Sequence, residues 1–198
     1  MVHDATTASD RPVVLPPDPA WQSRGPAIAA ELSEALGPSA LRVEHIGSTA
    51  IPGMAAKPVF DLQVSVDDLA AAADAFAGPL ADRGFRRSPY ERDHVPAGSG
   101  DDPARWGKRM WWLRPVGGAD ADVNLHVRVA GSPNERLALL FRDWFRAHPG
   151  AVPGYAAFKR TLAGAVPDVG TYADVKDPVV DLIVAVAEPW AAETGWRP

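Results

Sequence analysis

The chain has 198 residues, 46% hydrophobic and 23% charged, enough for one α/β domain with a real core and ordinary for a soluble globular protein. A net charge of −5 argues against a general basic surface for duplex nucleic acid, though it leaves room for a local basic pocket. The lack of cysteine rules out disulfides, thiolate metal sites and cysteine nucleophiles.

No apolar run approaches the roughly 20 residues of a membrane span. The opening MVHDATTASDRP has no apolar signal-peptide core, so a cytoplasmic location without a membrane partner is expected. Residues 1–17 are polar and proline-containing and read as a flexible tail; 18–198 reads as a single domain. Asp18-Pro19 is an N-cap with proline behind it, opening a helix from Ala20 to Leu36. Ile28, Leu32 and Leu36 give that helix its stripe, Gly37 stops it, and Gly25-Pro26 is expected to split or delay it. Leu41 to Ile46 is a strand that runs into Gly47-Ser48-Thr49, and a loop with Pro52, Gly53, Lys57 and Pro58 follows. The next strand, Val59 to Val66, alternates: Phe60, Leu62, Val64 and Val66 on one face, Asp61, Gln63 and Ser65 on the other.

Asp67-Asp68 opens a helix reaching about Arg83, with Leu69, Ala73, Phe76 and Leu80 as its apolar stripe and Pro79 expected to bend it. Phe85 to Tyr90 is a short strand or extended piece, and Glu91 to Trp106 a mobile loop rich in turn residues. Lys108 to Pro115 and Asp122 to Val129 form a hairpin across a Gly-Gly loop. In its second arm Val123, Leu125, Val127 and Val129 alternate with Asn124, His126 and Arg128. Ser132-Pro133-Asn134-Glu135 is a capping box for a helix whose Leu137, Leu140, Phe141, Trp144 and Phe145 share one side. A helix from Pro153 to Ala163 follows, and then a last one capped by Thr171 or Asp177. The pattern is a mixed sheet with flanking helices and a helical C-terminal third.

The chemistry concentrates between Val43 and Val66. Glycine permits positive φ and close backbone approach, so the Gly47-Ser48-Thr49 turn can cradle a phosphate with N–H groups and hydroxyls, or can simply be a tight turn. Lys57 adds a cation. Asp61 is a metal ligand or the partner of a nearby cation, because an unpaired acid among apolar neighbours is costly. His126 suits metal binding, acid–base work or a structural hydrogen bond, while His45 reads as packing beside the turn. Arg142 can grip a phosphate bidentately or, like Asp143, form an ion pair that docks its helix. Trp106, Trp111 and Trp112 offer a stacking wall or core packing, with Trp111 and Trp112 facing opposite sides.

The run Glu44-His45-Ile46-Gly47-Ser48-Thr49, then Pro52-Gly53, Ala56-Lys57-Pro58 and Asp61, resembles the signature of the GrpB family. Leu125-His126-Val127, Phe141-Arg142-Asp143, Arg146-Ala147-His148-Pro149, Tyr155 with Lys159, and Tyr172 with Lys176 extend the likeness from about Trp21 to Ala187. GrpB domains occur alone and fused to dephospho-CoA kinase, and are grouped with the nucleotidyltransferases. The resemblance implies an α/β (α+β) fold, a nucleotidyltransferase-like palm. It implies a phosphate-binding set of Gly47, Ser48, Thr49, Lys57, Arg142, Lys159, Tyr172 and Lys176, with Asp61 and His126 as catalytic residues holding Mg²⁺. The expected ligand is a nucleoside triphosphate whose nucleotidyl group moves to a small acceptor. The alternatives are a non-catalytic nucleotide- or CoA-like anion-binding module, or a repurposed enzyme using His126 as base. Two departures stand out: Gln63 occupies the place of a second acid on the Asp61 strand, and Asn124 stands where a histidine is common. Two-metal chemistry requires bridging carboxylates.

Overall fold

The hydrophobic alternation builds the sheet, and the computed structural model, which describes residues 11–115 and 121–198, shows it flanked by helices on both faces. Strands β1 (Arg42–Ile46), β2 (Val59–Val66), β3 (Arg86–Arg87), β4 (Arg109–Leu113) and β5 (Asp122–Val129) lie in the order β1-β2-β5-β4-β3. β2 and β5 are parallel at the centre and the other pairs are antiparallel, so the sheet is mixed. The helices are α1 (Trp21–Leu36), α2 (Leu69–Ala81), α3 (Pro133–Ala147), α4 (Val152–Ala165) and α5 (Val169–Thr194). The loop expected to carry Gly117-Gly118 lies outside the described residues, as do residues 1–10.

Register decides what the sheet presents. Asp61 is opposite Asn124, Gln63 opposite His126, and Ser65 opposite Arg128, so the polar positions of the two central strands form one face. On the other face Phe60, Leu62 and Val64 join Val123, Leu125 and Val127 under Leu32, Leu36, Phe76 and Leu80 of α1 and α2. A second apolar cluster joins Ile51, Met54 and Ala55 of the loop after β1 to Phe141 and Phe145 of α3 and Val152 and Tyr155 of α4. It fixes the C-terminal helices beside the polar face. Burying a large side chain of this kind contributes about 1.5–3 kcal/mol.

Several local expectations change. Pro26 sits within α1 without breaking it, and α1 begins where the Asp18 carboxylate accepts from Ala20 N at 2.9 Å. Pro79 is tolerated near the end of α2. The extended piece after α2 is a strand over Arg86–Arg87 alone, and beyond it Ser88 N donates to Met110 O of β4 at 2.8 Å. The capping box is half made: Ser132 Oγ accepts from Glu135 N at 3.4 Å, but the Glu135 carboxylate turns to Ser65 Oγ (2.6 Å), Gly131 N (3.2 Å) and Arg42. Helix α5 is capped by neither Thr171 nor Asp177. Asp168 accepts from Thr171 N at 2.7 Å and Thr171 Oγ1 at 3.0 Å, so Thr171 is the donor. In the segment expected to be tail, Leu15 exchanges both backbone hydrogen bonds with Ala56 (2.8 and 3.1 Å) and Val14 packs on the second cluster. The segment expected to be a mobile loop is anchored by Asp93, whose carboxylate accepts from Lys108 Nζ (2.7 Å), Arg128 Nε (2.8 Å) and Asn134 Nδ2 (2.9 Å).

Candidate functional site

β1 delivers the chain into Gly47 with φ 71° and ψ −168°, backbone space essentially reserved for glycine. A Cβ on Gly47 would lie 2.5 Å from Asp61 Oδ2, so the missing side chain also lets the turn rest against that carboxylate. Ser48, half-buried, follows at once, and its Oγ accepts from Lys159 Nζ of α4 at 2.8 Å. Thr49 faces inward instead. Its hydroxyl donates to Val59 O at 3.2 Å, which leaves His45 Nε2 to donate to Thr49 Oγ1 at 2.9 Å. Burial pushes the His45 pKa down to about 4, so the ring is neutral and packs as expected, against Phe60 at 5.5 Å.

Asp61 keeps a third of its side chain open (32%). Its Oδ1 accepts from Asn124 Nδ2 at 3.0 Å and lies 3.6 Å from His126 Nε2. Burial opposes its ionisation, but His126, Asn124 and the charge of Lys176 outweigh that and hold the carboxyl well below the usual range. Burial lowers the His126 pKa too, against the pull of Asp61, and its buried Nδ1 has no hydrogen-bond partner among the described residues.

Lysines dominate the remainder. Lys57, from the loop before β2, sits over the Tyr172 ring at 5.4 Å. Lys159 is 2% exposed and lies over the Tyr155 ring at 5.1 Å. Burial, and next the charge of Lys176, pushes Lys57 down and takes Lys159 to about 7. Burial pushes the Tyr172 hydroxyl up to about 12, so it stays protonated.

A family profile described as GrpB protein matches residues 11–185. The chain belongs to the GrpB family. It is 39% identical over 204 residues to a dephospho-CoA kinase of Mycolicibacterium paratuberculosis, covering 93% of this chain and 48% of that protein. It is 34% identical over 169 residues to a UPF0157 protein of Halalkalibacterium halodurans, covering 84% of this chain and 77% of that one. The crystal structure of the conserved protein GrpB from Enterococcus faecalis matches with a TM-score of 0.71 at 27% identity, over 90% of this chain and 99% of that chain. The chain thus spans about half the length of the dephospho-CoA kinases it matches.

Within this GrpB fold, Ser48, Lys57, Asp61, His126, Lys159, Tyr172 and Lys176 come together, linked by the contacts and mutual charge effects above. Arg142 does not join them. It makes paired bonds to the Asp143 carboxylate (2.7 and 3.1 Å) and donates to His45 O at 3.1 Å, docking α3 on β1. Gln63, 1% exposed, accepts from Arg128 and donates to Glu135 O at 3.2 Å. The position where a second acid was sought is thus roofed by α3 and feeds a structural network.

Mg²⁺ takes near-octahedral oxygen ligands, usually one or two carboxylates completed by water and substrate phosphates. The site offers one carboxylate, already engaged by Asn124, and one imidazole, in the field of cations. Among the described residues no group of three or more His, Asp or Glu side chains is placed to hold a metal. One resident of the site was missed from sequence. Arg114 donates to Asn124 Oδ1 at 2.7 Å and to Val123 O at 2.9 Å, and its charge reaches Lys57. Strand parity with Trp112, which lies on the polar face opposite Asn124, was the available signal. Trp111 is buried in the core, while half-buried Trp112 lies between the Arg86 and Arg114 guanidiniums at 5.8 and 5.7 Å. A separate cleft of about 500 Å³, between the loop at Ala97, Trp106, Arg136 and Asp181, contains none of the residues expected to bind phosphate or metal.

Proposed function

We propose that this site binds the phosphate of a small molecule of nucleotide or coenzyme-A-like type, and does so without a resident metal. One observation carries the reading: Lys57, Lys159 and Lys176 lie in one another's electrostatic field, with Asp61 as the carboxylate they share. Packing like charges this way is unfavourable in the free protein, and an anion relieves it. Lys159 is buried, with the Ser48 hydroxyl as its one hydrogen-bond partner among the described residues, and a charge-assisted bond to phosphate is roughly twice as strong as a neutral one. Tyr172 supplies a neutral donor beside Lys57. That the longer relatives are named dephospho-CoA kinases supports starting with nucleotides and CoA-like compounds.

Nucleotidyl transfer is the second reading, favoured by the Gly47-Ser48 turn lying against Asp61. Calorimetry with nucleoside triphosphates and dephospho-CoA, each with Mg²⁺ and with EDTA, separates the two. The proposal expects binding in EDTA that is lost in Lys159→Met. A triphosphate bound only with Mg²⁺ overturns it in favour of transfer.

A further inference from the structure

The pairing of Ser48 with Lys159 has the composition of a reactive centre as well as a binding contact. A serine is inert as a nucleophile unless a neighbouring base takes its proton, and serine–lysine pairs are one solution to that problem. Here the hydroxyl follows a positive-φ glycine in a tight turn and stays half-buried, open to a small reagent. The amine behind it is buried and lies within hydrogen-bond distance, 2.8 Å. Among the described residues it has no carboxylate at salt-bridge distance, and Asp61, the acid whose charge reaches it, is engaged by Asn124.

We propose that Ser48 is a nucleophile and Lys159 its proton acceptor, a pair built to attack an activated acyl donor, an ester or thioester. The charged groups facing Lys159 are Lys57 from the loop, Asp61 from β2, Lys176 from α5 and Arg160 from its own helix; burial and the Lys176 charge together bring its pKa to about 7. A large share of Lys159 is therefore neutral near pH 7 and able to receive a proton. The Ser48 Oγ–C bond forms as the carbonyl is attacked, and the serine proton passes to the Lys159 amine. The C–S or C–O bond of the donor then breaks, and the departing thiolate or alkoxide takes that proton back. Water or an amine acceptor cleaves the acyl-serine by the reverse proton path. Acyl transfer by this pair needs no metal. The inference rests on the anion reading only for Lys57 and Lys176, which would hold a phosphate on the donor.

The test is labelling of the full chain with a fluorophosphonate–biotin probe, followed by peptide mass spectrometry, from pH 5 to 10. The expected result is modification of Ser48 with a rate that rises through a midpoint near pH 7. Lys159→Met should slow it at least ~100-fold, the low end of what a positioned base contributes. Removing one like charge with Lys176→Met should move the midpoint to higher pH, a shift that a merely structural Lys159 would not give. Thermal melts confirm that each variant is folded. No labelling of Ser48 in the folded wild type, or a midpoint unmoved by Lys176→Met, overturns the inference. Nucleotide calorimetry on the wild-type chain keeps the two readings apart: binding without any Ser48 labelling leaves the anion site standing alone, and Ser48 labelling without nucleotide binding removes the anion reading only.

Discussion

At the scale of single residues, glycine and lysine set the properties of the site. Gly47→Ala forces a side chain into glycine-only backbone space and within 2.5 Å of the Asp61 carboxylate. It should cost about 1–3 kcal/mol in urea unfolding, and a loss under ~0.5 kcal/mol would contradict the close approach. Lys159 gives a linkage test. Its folded pKa, about 7, lies below the ordinary 10.5, so between those values the unfolded chain binds more protons and stability rises with pH. Below pH 7 the burial penalty is fully present. Unfolding curves at pH 7 and pH 9 should show this rise in the wild type and lose it in Lys159→Met. That Ser48, Lys57 and Asp61 share a site was legible in the sequence, since they flank one short loop. The destination of Arg142 was not, because a neighbouring Asp143 and a distant carbonyl compete for the guanidinium with any ligand.

At the scale of elements, the polar face of the sheet splits in two. Near Asp61 it is open; near Gln63 and Ser65 it is filled by Arg128, Asp93, Asn134 and Glu135, which fasten α3 and the segment after β3. Burial opposes ionisation of Asp93, but Arg128 and Lys108 outweigh it and hold the carboxyl far below its usual range. A depressed acid contributes stability that is present above its unfolded pKa, about 4, and lost as pH falls toward the folded value. Asp93→Asn should therefore be less stable by roughly 3–5 kcal/mol at pH 7, the usual cost of breaking a buried pair. In denaturant titrations the gap to wild type should narrow as pH drops from 5 to 3; a constant gap would contradict the pairing. Strand alternation revealed both faces in advance, including the split of Trp111 from Trp112. It could not reveal which polar positions are roofed, because that depends on where α3 lands, a contact more than 60 residues away along the chain.

At the scale of the whole molecule, the sheet is a wall between two apolar clusters, and the C-terminal helices complete the site by bringing Lys159, Tyr172 and Lys176 to β2. Helix α5 extends past the family match at residue 185, and its Ala187 and Ala191, with Trp190 and Trp196, close over Leu140 and Trp144. Trp196 Nε1 also donates to Asp143 at 3.2 Å, the partner of Arg142. Ending the chain after Ala185 should thus cost roughly 3–5 kcal/mol, comparable to emptying a large aromatic site, and a truncated protein with unchanged thermal stability would contradict that role. The fold was legible because periodicity and turn chemistry agree over most of the chain; the ligand was not, because the deciding geometry joins side chains from the loop before β2, the end of β4, α4 and α5. The most direct test is calorimetry of dephospho-CoA and the nucleoside triphosphates in EDTA at pH 7.5, repeated in two buffers of different ionisation enthalpy. Binding of an anion restores the charge on Lys159, so the account predicts metal-independent binding coupled to proton uptake, both lost in Lys159→Met. Binding that requires Mg²⁺, or that takes up no proton, would contradict it.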